Sequence, residues 1–271
     1  MVSPLRAFAA VTAAADTAAA RAEASTRWLH LVRSGADAGA GAIAGRRLVF
    51  FPPAGASASS TYELAPAVPE TWSVWGVQYP GRGPRLREAQ ASSIREIAAA
   101  CFPDLADEAD HTLLFGHSFG AYVAYEVAQI LQKAGRSVAG LLVAGMPAPG
   151  SWQAPPADFT DAELVRSLTR IGGTAAELLA DDEMLELLLP SLRSDLELSR
   201  AYVDGHAVPL RAPVLGLGGR DDALVPAGAV ATWRHRTTAW LGAVAGDGDH
   251  FFYLQDPAVL ADVLGRPWPG C

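Results

Sequence analysis

Several things are scarce in this 271-residue chain, and each scarcity excludes a class. There are two cysteines, Cys101 and Cys271, too far apart and too few for a disulfide framework or a cysteine metal site. Histidine, cysteine and aspartate nowhere cluster at metal-ligand spacing, and no glycine-rich phosphate loop is present, so no metal or cofactor is expected. No apolar run approaches the ~20 residues of a membrane-spanning helix. Basic residues are outnumbered, 21 Lys and Arg against 29 Asp and Glu, for a formal charge of −8. That balance argues against nucleic acid as a partner. Internal repeats and an interdomain linker are also missing. A reducing cytoplasm is the expected compartment, with no membrane attachment.

Apolar residues, by contrast, make up 50% of the chain, enough for a large layered core. Short strand-like runs alternate with helical patterns. The strands read as Trp28–Val32, Arg46–Phe51, Trp72–Tyr79, Thr112–Phe115, Val138–Ala144, Ala212–Leu217 and Ala239–Ala245. Helices are expected over Ser92–Ala109, from the turn after Phe115 to about Ala134, near Ala227–His235 and over Pro257–Leu264. Such alternation predicts an α/β fold with a mostly parallel sheet flanked by helices. Residues 148–208 break the rhythm with helices alone. A Thr160–Glu163 capping box opens the first, the next covers about Thr174–Leu189, and Pro190 starts or kinks the last, Ser191–Val203. An insertion after a strand's C-terminal end sits over the ligand site of such a sheet, so this stretch reads as a helical lid. Residues 1–25 read as a helical or flexible leader, since Asp16 interrupts what would be a secretion signal, and 26–271 as one domain.

The chain is organised around His111–Ala134. Its apolar run turns through Gly116-His117-Ser118-Phe119-Gly120 and continues with Val123, Ala124, Val127, Ala128 and Leu131 at helical spacing. A serine at the tip of a strand–turn–helix has its hydroxyl lifted off the sheet, and the glycines let strand and helix approach. The helix start places N–H groups and partial positive charge beside that hydroxyl. The plainer alternative is a serine that only caps the helix.

A serine hydroxyl needs a base, and the base needs an acid to hold its tautomer. Of the six histidines, His30 and His111 border earlier strands. His117 is locked in the turn, His206 falls in the helical insertion and His235 in or after a helix. His250 alone occupies a glycine-flanked loop after the last strand, where α/β sites are built. Asp221 and Asp222 follow the preceding strand and are both candidates for the acid.

Five stretches together resemble the type II thioesterases, free-standing α/β-hydrolases that accompany polyketide and nonribosomal peptide synthases. They are Phe51–Ala58, Gln78–Gly83, Gly116–Ala121, Gly219–Val225 and Asp249–Phe252, within a resemblance running from about Trp28 to Leu264. The resemblance implies an α/β-hydrolase fold and hydrolysis of acyl thioesters on the phosphopantetheine arm of an acyl or peptidyl carrier protein. It implies Ser118 as nucleophile, His250 as base, and Asp222 rather than Asp221 as acid, from the family spacing. Backbone N–H groups of Ala54 and Phe119 would form the oxyanion hole. The chain departs from the family pattern at Pro53, Ala56 and Ala223, where histidine, glycine and proline are usual.

A small-ester hydrolase or lipase would use the same triad, a non-catalytic binder could keep the fold, and a chain-releasing domain of a synthase is a further alternative. Carrier proteins are acidic, as this chain is, so docking needs local positive patches. The candidates are Arg82, Arg85 and Arg87 after one strand, and Arg234 and Arg236 after Asp222.

Overall fold

Three fully buried apolar strands, β2 (Arg47–Phe51), β4 (Thr112–His117) and β5 (Gly140–Ala144), form the centre of the molecule. Strands buried on both faces read as unbroken apolar runs and are covered by helices on each side. The computed structural model describes residues 25–36, 45–151, 160–173 and 179–268. The expected leader lies outside the described residues apart from Ser25, as do residues 37–44, 152–159 and 174–178 and Cys271.

With β1 (Leu29–Arg33), β3 (Ser73–Val77), β6 (Val214–Gly219) and β7 (Trp240–Gly246), the strands form a seven-stranded sheet ordered β1-β3-β2-β4-β5-β6-β7. Only β1 runs antiparallel to its neighbour. The chain leaves β2 toward β3 on one side and leaves β4 toward β5 on the other. The crevice beyond the C-terminal ends of β2 and β4 is therefore the switch point where such sheets bind ligands.

Helices α1 (Ile94–Leu105) and α2 (Phe119–Lys133) pack one face of the sheet, and α5 (Pro257–Gly265) packs the other. Ser93 caps α1 by accepting the Glu96 N–H at 3.1 Å, as its position before the apolar periodicity leads one to expect. Between β5 and β6 lie α3 (Asp161–Ile171) and α4 (Asp182–Ala201). The capping box at Thr160 and Glu163 is formed. The expected break near Pro190 is not: one 20-residue helix runs through it. Proline removes the bond to the carbonyl of Glu186. Both residues are exposed, so water can serve that carbonyl, while Leu188, Leu192 and Asp195 hold the helix to the body. Leu164, Leu168 and Leu192 form a small core of their own, packed against Ala54 beside the switch point. Burying each such leucine contributes about 1.5–3 kcal/mol.

Candidate active site

Ser118 follows β4 and opens α2 with φ 53° and ψ −122°. It is the only non-glycine at positive φ among the described residues. Strain of this kind, of order 1–3 kcal/mol, persists only where the surroundings enforce it. Here the flanking glycines do so. A Cβ on Gly116 would sit 2.4 Å from the Gly120 carbonyl oxygen, and one on Gly120 would sit 1.9 Å from that of Phe51. The Ser118 hydroxyl caps nothing in the helix it opens, which removes the plainer alternative.

His250 lies beyond β7, and its Nδ1 is 2.7 Å from Oδ2 of Asp222, with both side chains buried. The other carboxylate oxygen of Asp222 accepts the N–H groups of Leu224 and Val225 at 2.8 and 2.9 Å. With Oδ1 occupied, Oδ2 is left to hold an Nδ1–H tautomer, which frees Nε2 to act as a base. Asp221 is exposed, and it is Asp222 that reaches the histidine.

Ala54, Ser118, Phe119 and His250 line one cavity of about 480 Å³, walled by Leu164, Leu168, Leu188, Leu192 and Leu196 of the insertion. Within the described residues no acceptor takes the amide N–H of Ala54 or of Phe119. No cluster of three or more His, Cys, Asp or Glu among the described residues could hold a metal ion. No described helix is long and apolar enough to cross a membrane.

Two of the arginines expected to meet a partner are instead internal. Arg82 is 5% exposed and paired with Asp195 of α4. Arg85 is 8% exposed, donates to both carboxylate oxygens of Glu88 and to the Gln78 carbonyl, and lies over the Trp28 ring. A guanidinium has five donors on a stem long enough to turn inward, so loop position alone does not reveal its direction. Arg236 is half-buried, paired with Asp204 at 3.0 Å and bonded to the Pro149 carbonyl. Arg87 and Arg234 are exposed.

The sequence reading missed what His117 does. This fully buried ring accepts the Tyr253 hydroxyl at Nδ1, at 3.1 Å, and donates from Nε2 to the His250 carbonyl at 2.9 Å. A carbonyl can only accept, so the proton must reside on Nε2. Burial, and then the neighbouring His250, hold the His117 pKa well below its ordinary value, and the ring stays neutral. Its sequence signal was a polar ring inside an otherwise apolar strand.

A mostly parallel sheet with a strained serine at the turn after β4 and a buried Asp–His pair beyond β6 and β7 has the architecture of an α/β-hydrolase. A model described as a thioesterase domain matches residues 46–265, and the chain belongs to the thioesterase family. It is similar to thioesterase PikA5 of Streptomyces venezuelae, 37% identical over 218 residues covering 78% of this chain and 76% of that one. The gramicidin S biosynthesis protein GrsT of Aneurinibacillus migulanus is 30% identical over 225 residues, 80% of this chain and 87% of that one. Among solved structures, the type II thioesterase BorB of the borrelidin biosynthetic cluster aligns with a TM-score of 0.77 at 32% identity, covering 88% of this chain and 97% of that one.

Proposed function

We propose that Ser118, His250 and Asp222 carry the hydrolysis, and that the substrate arrives on the phosphopantetheine arm of an acyl or peptidyl carrier protein. The enzyme is an editing thioesterase of the type II kind, serving a polyketide or nonribosomal peptide synthase in the cytoplasm. The observation that supports the triad best is the buried 2.7 Å contact between Asp222 and His250, opening into the same cavity as the strained Ser118.

Ser118 Oγ attacks the thioester carbonyl as His250 Nε2 takes its proton. The Ala54 and Phe119 N–H groups hold the oxyanion, each donor worth about 3 kcal/mol in the transition state. The tetrahedral adduct collapses, the C–S bond breaks, and His250 returns the proton to the departing thiolate. Water then attacks the acyl-serine with His250 again as base, releasing the acid and restoring the serine. Asp222 holds the imidazole and stabilises its protonated form. None of these steps calls for a metal or a redox group. The insertion of α3 and α4 acts as the lid, and its leucines exclude water from the acyl chain.

Intact-mass spectrometry after mixing with an acyl carrier thioester tests this assignment. The wild type should gain a transient acyl adduct mapping to Ser118, and Ser118→Ala should fold yet lose the adduct and nearly all turnover. An adduct on another residue would sink the assignment.

A further inference from the structure

The buried face of α4 carries one charged residue. Leu188 and Leu192 lie against Gly55, where an added Cβ would sit 3.1 and 3.3 Å from them. One turn further along the same face is Asp195, whose side chain is 2% exposed. A carboxylate there loses its hydration, and burial pushes the Asp195 pKa up against the opposing pull of Arg82. Its partners replace the lost water. Both terminal nitrogens of Arg82 donate to it, Nη2 reaching Oδ1 at 2.9 Å, and the Gly55 N–H donates to Oδ2 at 2.8 Å. Arg82 lies over the ring of Tyr79, whose hydroxyl donates to the Pro52 carbonyl at 3.3 Å. Ala54 thus sits between two anchored residues, Pro52 held from the end of β3 and Gly55 held from the lid helix. Stability does not demand this arrangement, because well-packed apolar residues often replace a buried ion pair without loss. What an apolar pair could not do is accept the Gly55 N–H and fix the Ala54–Gly55 peptide.

We propose that Asp195 is a positioning residue for the oxyanion hole: clamped by Arg82, it accepts the Gly55 N–H, fixes the backbone at Ala54, and so makes the donor geometry depend on a seated lid helix. The inference rests on the reading of Ala54 as an oxyanion donor. It makes the lid a participant in transition-state stabilisation as well as a wall of the acyl cavity. A lid lifted at α4 would take Asp195 with it and release the Gly55 peptide, so hydrolysis would be disfavoured until the lid is down.

The test compares the wild type with Asp195→Asn, Asp195→Ala, the double variant Arg82→Met with Asp195→Leu, and Ala54→Pro. Readouts are kcat and KM on a small acyl thioester, Tm, the acid limb of the pH–rate profile, and inhibition by an acyl trifluoromethyl ketone. That ketone adds Ser118 across its carbonyl and places an oxyanion in the hole. Asp195→Ala should lower kcat by about 10- to 100-fold, the scale of a misplaced or lost donor, with KM within about threefold. Ketone affinity should fall by a similar factor and the acid limb should not move. Asp195→Asn keeps an acceptor for Gly55 and should lose less. The double variant decides between positioning and bulk stability: it should regain the Tm lost in Asp195→Ala without regaining kcat. Activity returning together with Tm, or a kcat loss with unchanged ketone affinity, overturns the role of Asp195. Ala54→Pro deletes the donor itself. If that variant kept full activity, the assignment of Ala54 would fall, an outcome distinct from failure of the Asp195 relay.

Discussion

Two adjacent aspartates differ by one residue and have opposite fates. Asp222 is inside, with one oxygen on His250 and the other on two backbone N–H groups, while Asp221 is exposed and engaged through its own N–H with the Gly248 carbonyl. Asparagine at 222 would present an amide nitrogen or a neutral oxygen to Nδ1 and favour the wrong imidazole tautomer. Asp222→Asn should therefore lose about 10⁴-fold in kcat, the scale known for such changes. Asp221→Asn should stay within about threefold, because an exposed substitution away from caps and buried networks rarely matters. Steady-state kinetics on one thioester checks both, and a worse Asp221 variant would exclude Asp222 as the orienting acid.

At the level of elements, β4 is tied to the loop after β7 by His117, with Tyr253 behind it. The bridge needs a neutral imidazole, and the buried site holds the His117 pKa well below that of the unfolded chain, about 6.5. Below that pH the unfolded state binds a proton that the folded state refuses. The stabilisation is thus complete above about pH 6.5 and lost as pH falls toward the folded value, at up to about 1.4 kcal/mol per pH unit. Urea midpoints between pH 7.5 and 5.5 should fall more steeply for the wild type than for His117→Gln, which keeps a donor for the His250 carbonyl but cannot titrate. Parallel curves would mean that His117 is not the linked group. The strands and the elbow were legible because buried strands need apolar runs and a tight turn needs Gly116 and Gly120. What could not be read was which helix a proline ends. Pro190 reads as a break, yet it faces solvent where water can serve the orphaned carbonyl, and the burial of Leu188 and Leu192 on the opposite side outweighs it. Asp195 was legible in principle, as an acid three and seven residues beyond the periodic leucines Leu192 and Leu188, but its partner on a distant loop was not. The inward turn of Arg82 depends on that same tertiary pairing, and that of Arg85 on Glu88 and the Trp28 ring.

Taken as a whole, the molecule carries a formal charge of −8, so long-range attraction cannot bring an acidic carrier protein to it. With Arg82 and Arg85 internal, Arg87 is the exposed arginine of that first set, next in sequence to a residue of the cavity wall. Its neighbour Leu86 lines the cavity while remaining 43% exposed, and Met184 and Leu187 of α4 are exposed on the same rim. An apolar rim with Arg87 next to it would suit a carrier that presents an acyl arm beside an acidic helix. Arg87→Glu should raise KM for a carrier-bound thioester several-fold, with the effect shrinking as salt rises because the pair is solvent-exposed. A small neutral thioester serves as the reference and should report little change. Arg85→Glu should behave differently, losing the Glu88 pair and the stacking on Trp28 and lowering Tm on any substrate. Equal loss on both substrates for Arg87→Glu would place that residue in support of the fold. No loss on either would move the docking surface to the neighbourhood of Arg234, the other exposed member of the original set.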